Sequence, residues 1–195
     1  MQTVKNTSST IYEIKKSTFH AYLVPFSEFE QTLKWLKSEH PKARHIVWAY
    51  RTLNEHNQVV ENQTDDGEPK GTSGPPVLNV LRGADLIESA ALIVRYFGGI
   101  KLGTGGLVRA YSSAINSAIA GAELELYEQK LKIDFFTPYP LVQRVEYWAS
   151  KEKIELKNRE FIADGVEWEL FLTKPQADEF KKFVSDLEFE GFVWL

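Results

Sequence analysis

The stretch Ser89-Ala90-Ala91-Leu92-Ile93-Val94-Arg95-Tyr96-Phe97-Gly98-Gly99-Ile100-Lys101-Leu102-Gly103-Thr104-Gly105-Gly106-Leu107-Val108-Arg109 decides how the chain is read. Its opening apolar run, residues 89–97, predicts a buried strand. Beyond the glycines, Leu107, Val108, Tyr111, Ala114, Ile115, Ala118 and Ile119 recur at helical spacing, with small residues between them. That pattern predicts a helix starting near Thr104, lying close against a sheet and stopped by Gly121. A buried strand, a glycine-rich turn and a helix thus follow one another without a linker.

Outward toward the N-terminus, residues 11–14 and 17–24 alternate as strands, and Pro25 and Ser27 introduce a helix carrying Phe29, Leu33, Trp35 and Leu36 that Pro41 closes. Residues 43–53 form a third strand candidate. Residues 54–76, rich in turn formers, read as one loop, with Thr72 or Ser73 capping a short helix that ends at Gly83. Toward the C-terminus the pattern changes near Tyr127. Strand 130–136, helix 140–150, strand 154–162, a tight turn at Asp164-Gly165, strand 166–173, helix 175–187 and strand 191–195 give a strand, helix, strand, strand, helix, strand order, the ferredoxin-like arrangement. Two domains are expected, residues 1–127 and 128–195.

Composition limits the chemistry. The 195 residues include no cysteine, which excludes disulfides, thiolate nucleophiles and Cys-based metal sites. The N-terminus opens polar and no apolar run approaches the ~20 residues of a membrane span, so the expectation is a soluble, cytoplasmic protein without a secretory leader. The net charge of −4 is unevenly spread: residues 1–120 carry +2 and the remainder −6. Between Glu88 and Glu123 there is no acidic residue, while Arg95, Lys101 and Arg109 are present. That window is basic inside an acidic chain.

Two stretches carry candidate chemistry. In the first, Arg95, Tyr96, Gly98, Gly99, Lys101, Gly103, Thr104, Gly105, Gly106 and Arg109 combine approachable backbone N–H groups, a helix start and positive charge, the elements of a phosphate site. Glycines at this density also serve sharp turns and close strand-to-helix packing. Neither the P-loop nor the dinucleotide fingerprint fits: Leu102 precedes Gly103, and Val108 stands where a third small residue belongs. In the second stretch, Asp65, Asp66, Glu68, Lys70 and Thr72 form an acidic loop, to which His45 is a possible neighbour by type. An EF-hand register would put Ser73 where the bidentate Glu is required, so calcium is not expected. Asp65 and Asp66 are the metal candidates if Mg²⁺ bridges to a substrate phosphate; otherwise no metal and no cofactor is called for.

The segments Asp65-Asp66-Gly67-Glu68-Pro69-Lys70-Gly71-Thr72 and Arg95 through Tyr111 closely resemble the IMPACT family, whose bacterial members are the YigZ-like proteins. The resemblance spans the whole chain. It implies an α+β protein of two domains: an N-terminal α/β sandwich like ribosomal protein S5 domain 2, a fold shared with domain IV of elongation factor G, and a ferredoxin-like C-terminal domain. It also links the chain to regulation of translation, although eukaryotic relatives work through an additional N-terminal domain not found in this sequence. Ile46-Val47, Ser73 and Val94 depart from residues usual in the family, and none of these removes a glycine or cation from the central motif.

Three functions follow as expectations. The first is a non-enzymatic protein associated with RNA or the ribosome, or with a protein partner of the translation machinery, gripping phosphate through the glycine-rich loop. The second is a Mg²⁺-dependent enzyme acting on a small phosphate or nucleotide. The third is an interaction regulator whose acidic second domain, with Asp178, Glu179, Asp186, Glu188 and Glu190, meets a basic partner. The oligomeric state is not legible.

Overall fold

The computed structural model describes residues 1–154, 156 and 158–195. The chain divides into two units, Met1–Tyr127 and Glu128–Leu195, in an α+β arrangement. In the first unit the order is β1 (Gln2–Val4), β2 (Ser8–Ile14), β3 (Ser17–Pro25), α1 (Phe29–Glu39), β4 (His45–Leu53), β5 (Val59–Thr64), α2 (Gly74–Gly83), β6 (Ser89–Tyr96), α3 (Thr104–Ala120) and β7 (Leu124–Leu126).

The continuous apolar run of β6 has a direct cause. It is the middle strand of a five-stranded antiparallel sheet, order β2-β3-β6-β4-β5, and both of its faces are covered. On one face Phe19, Leu23, Val47, Ala91 and Ile93 pack with Leu107, Tyr111, Ala114 and Ile115 of α3 and with Val77 and Leu81 of α2. On the other, Leu92 and Val94 pack with Phe29 and Leu36 of α1. Because side chains alternate along a strand, Arg95 is directed with Ile93 toward α3, whereas Tyr96 sits with Val94 on the α1 side. That parity divides the basic motif before any loop geometry is considered.

The loop expected over residues 54–76 contains a strand. β5 pairs with β4 from Trp48↔Thr64 to Leu53↔Val59. It is an edge strand with one neighbour and a half-exposed, polar sequence, so it lacks the apolar alternation by which strands are recognised. β1 and β7, three residues each, also lie outside the sequence reading; they form a separate antiparallel ribbon, Val4↔Leu124 to Gln2↔Leu126. Ser73 does occupy the N-cap position of α2, yet neither its side chain nor that of Thr72 caps the helix. Asp65 does so instead.

The second unit runs β8 (Lys130–Pro138), α4 (Val142–Lys151), β9 (Asn158–Ile162), β10 (Gly165–Thr173), α5 (Lys174–Val184) and β11 (Val193–Trp194). Its antiparallel sheet has the order β11-β8-β10-β9 and a core of packed aromatic rings, among them Phe135, Trp148, Trp168, Phe180 and Phe192. The first part of the strand expected at 154–162 includes Glu155 and Lys157, which lie outside the described residues. α5 opens with a capping box, Thr173 Oγ1 accepting from the Gln176 N–H. Among the described residues no helix is long and apolar enough to cross a membrane.

Candidate functional site

The acidic loop folds back on the sheet, and each of its carboxylates meets protein donors. Asp65 accepts from the N–H groups of Gly71 at 2.7 Å, Ser73 at 3.0 Å and Gly74 at 2.9 Å, and from the Ser73 hydroxyl at 2.7 Å. Burial works against the Asp65 charge, but these donors outweigh it and hold the carboxyl below its usual range. Asp66 accepts from the Ile46 N–H at 2.6 Å, and its carbonyl accepts from His45 Nδ1 at 2.7 Å. Thr72 is buried and donates to the Pro69 carbonyl, while Lys70 is exposed. Mg²⁺ needs open carboxylate oxygens facing a shared point, and Asp65 presents oxygens already engaged by four donors.

Glu68 brings the two motifs together. It is buried, accepts from Arg95 Nη1 at 2.6 Å and from the Tyr111 hydroxyl at 2.8 Å, and so joins the acidic loop, β6 and α3. Burial and the Glu68 charge together push the Tyr111 hydroxyl far above its ordinary value, which keeps it a donor. Arg95, read from sequence as a cation available to phosphate, is instead neutralised by Glu68 and 8% exposed. Its guanidinium carbon lies 5.6 Å from the Phe19 ring centre and 5.8 Å from that of Phe97. Tyr96 is also absent from the loop surface: on the α1 side its hydroxyl meets His40 Nδ1 at 2.9 Å, with the His20 ring edge-on to it at 5.8 Å.

What the loop does present is an exposed glycine turn leading into α3. Gly99 and Gly103 adopt φ of +85° and +74°. α3 begins at Thr104 with no side-chain cap and no acidic residue in its first turn, so its leading N–H groups and positive dipole end face outward. Arg109 folds back over that turn: a Cβ on Gly105 would lie 3.6 Å from Arg109 Nη1. Lys101 is exposed within the loop.

The structure adds two cations that the sequence reading passed over. Lys15 and Lys16 form the two-residue connection between β2 and β3, closed by the Ile14↔Ser17 pair, with φ of 46° and 64°. This is the hairpin turn that Asn-Gly adopts with least strain. The tip lies against Gly98, where a Cβ would fall 1.9 Å from the Lys16 carbonyl carbon, and the Gly98 N–H donates to Ser17 Oγ at 3.2 Å. Among the described residues, Lys15, Lys16, Lys101 and Arg109 are exposed with no carboxylate within 4.0 Å; the lysines and arginines of this unit that do form ion pairs are Lys5, Arg51, Arg82 and Arg95. The only sequence signal for the tip was the abrupt break in alternation after Ile14.

Comparison with known proteins adds the following. The family model "Impact N-terminal domain" matches residues 15–119. An IMPACT family member of Haemophilus influenzae is 37% identical over 155 residues, covering 78% of this chain and 75% of the relative. The IMPACT family member YvyE of Bacillus subtilis is 31% identical over 194 residues, covering 95% and 85%. A crystal structure described as that of a hypothetical protein superposes with a TM-score of 0.71 at 28% identity, covering 100% of this chain and 95% of the other.

Proposed function

Since the chain belongs to the IMPACT family, we propose that it is a non-enzymatic protein of translational control that associates with RNA or the ribosome through the glycine-rich loop. The observation that carries this reading is a set of four exposed cations: Lys101 and Arg109 at an uncapped helix start whose first turn holds no acid, and Lys15 and Lys16 at the hairpin tip packed on Gly98. Phosphate is the ligand that such a surface suits: it takes charge from the cations and hydrogen bonds from the N–H groups of Thr104, Gly105 and Gly106. Arg95 enters as a support for the loop and not as a phosphate ligand. In this reading the first unit is like ribosomal protein S5 domain 2, the second is ferredoxin-like by its strand order, and the protein works in the cytoplasm without a cofactor.

Co-sedimentation of the full chain with ribosomes, and with RNA alone, tests this. Four phosphate contacts to a single strand give a salt slope near −3, since each contributes about −0.7. Lys101→Glu and Arg109→Glu should each weaken sedimentation and flatten that slope. If both variants sediment like the parent across the salt series, the loop is not the contact.

A further inference from the structure

Phe97 is the one ring of the basic motif that faces solvent. Tyr111 is fully buried and Tyr96 is engaged with His40, whereas Phe97 is 57% exposed at the point where β6 gives way to the glycine turn. One side of its ring is occupied: the Arg95 guanidinium lies 5.8 Å from the ring centre and is itself fixed by Glu68. A buried cation anchored by a buried carboxylate therefore supports the exposed ring from below. An aromatic ring held by a cation–π contact and open on its outer side is a platform for another flat π-system.

The surroundings specify what kind. Gly98, next in the chain, sits directly on the Lys16 backbone, so the lysine hairpin tip lies beside the residue that follows the ring, while Lys101 and Arg109 are exposed in the turn and first helical turns that come next in the chain. Two lysines hold left-handed backbone conformations at that tip, a strained geometry that persists where the local structure or its use requires it. A stacking ring flanked by cations on two separate elements is the layout of sites that track a nucleic-acid strand with its bases unstacked.

Resting on the phosphate-binding reading above, we propose that this surface takes unpaired RNA, one base stacking on Phe97 while Lys15, Lys16, Lys101 and Arg109 hold the flanking phosphates. Paired RNA keeps its bases within the duplex and offers Phe97 nothing to stack on.

The test is fluorescence anisotropy of the full chain with a labelled oligouridylate of about 12 nucleotides, and with a duplex of the same length, over a salt series. Phe97→Leu keeps apolar bulk over Arg95 and removes the ring face; it should lower single-strand affinity roughly 5- to 150-fold, the range of single-base stacking losses, with an unchanged salt slope. Phe97→Tyr should bind within about 2-fold of the parent, because the ring face that stacks is retained. Lys101→Gln should show the converse, a flatter slope by about 0.7. Equal affinity for the duplex, or Phe97→Leu binding like the parent with the salt slope intact, overturns the stacking assignment and leaves the phosphate reading standing. Absence of salt-dependent binding to either RNA overturns both. Both Phe97 variants are first checked for unchanged Tm, since the side chain is exposed.

Discussion

Removing the Glu68 carboxylate tests the link that joins the two motifs. Glu68 and Arg95 have side chains 3% and 8% exposed around a 2.6 Å contact, and the Tyr111 hydroxyl donates to the same oxygen at 2.8 Å. Removing one partner of a buried pair leaves the other charge uncompensated, at a cost of about 3–5 kcal/mol. Glu68→Ala also strips Tyr111 of its acceptor, about 1–3 kcal/mol for a buried donor, although the two losses overlap because they share one carboxylate. We expect about 4–6 kcal/mol for Glu68→Ala, a large part of the 5–15 kcal/mol that holds a domain folded. Glu68→Gln, which keeps an acceptor for Tyr111, should cost about 3–4 kcal/mol. Combining it with Arg95→Met removes the stranded charge, so the double variant should be at least about 2 kcal/mol more stable than the two single losses predict. A melt of the whole chain mixes two units, so the measurement is amide hydrogen exchange of β6, where Ala91 and Ile93 are fully buried in the first unit. Protection should fall there by roughly three to four orders of magnitude in Glu68→Ala, at about 1.4 kcal/mol per tenfold. A loss below about 1 kcal/mol for Glu68→Gln, or strict additivity in the double variant, would refute the coupling.

Other outcomes follow from single contacts. Gly98→Ala places a Cβ 1.9 Å from the Lys16 backbone, so the β2–β3 tip must move; a loss of about 1–3 kcal/mol in urea unfolding, with weakened RNA binding, is expected. Lys15→Asn combined with Lys16→Gly relieves the turn and should raise Tm while lowering RNA affinity, so stability and binding move in opposite directions. Asp65 has a folded value depressed below 3.8, so its contribution is complete above that pH and is lost as pH falls through the folded value. Asp65→Asn should therefore cost stability at neutral pH and flatten the acid limb of a Tm-against-pH curve; an unchanged limb would show that its helix cap contributes nothing.

Periodicity made most of the fold legible. The run before Arg95 and the spacing from Leu107 to Ile119 identify β6 and α3 because a strand covered on both faces and a helix on a sheet each have a distinct apolar pattern. β5 was hidden because an edge strand can be polar, and its residues Glu61, Asn62 and Gln63 look like a loop until β4 is seen beside them. The candidate site was read as a set of charges, and charge carries no information about burial. Arg95 looked available because its partner, Glu68, lies 27 positions away in the other motif. The Lys15-Lys16 tip against Gly98 escapes for the same reason, a contact between segments 81 positions apart, whereas the Asp65 cap on α2 is only nine positions from Gly74 and escapes because the intervening loop folds back to bring it there.

The β1–β7 ribbon bears on the order in which the first unit is assembled during synthesis. Val4, 3% exposed in the finished fold, is made about 120 residues before its partner Leu124. At about 5–20 residues per second, the nascent chain carries that strand unpaired for roughly 6–24 s. Until residue 126 has emerged the five-stranded sheet has every one of its own strands, but the ribbon is missing. A fragment cut at residue 119, where the family match ends, would remain at that stage permanently, with the Lys5 N–H left without the Glu123 carbonyl and the Met1 carbonyl without the Tyr127 N–H.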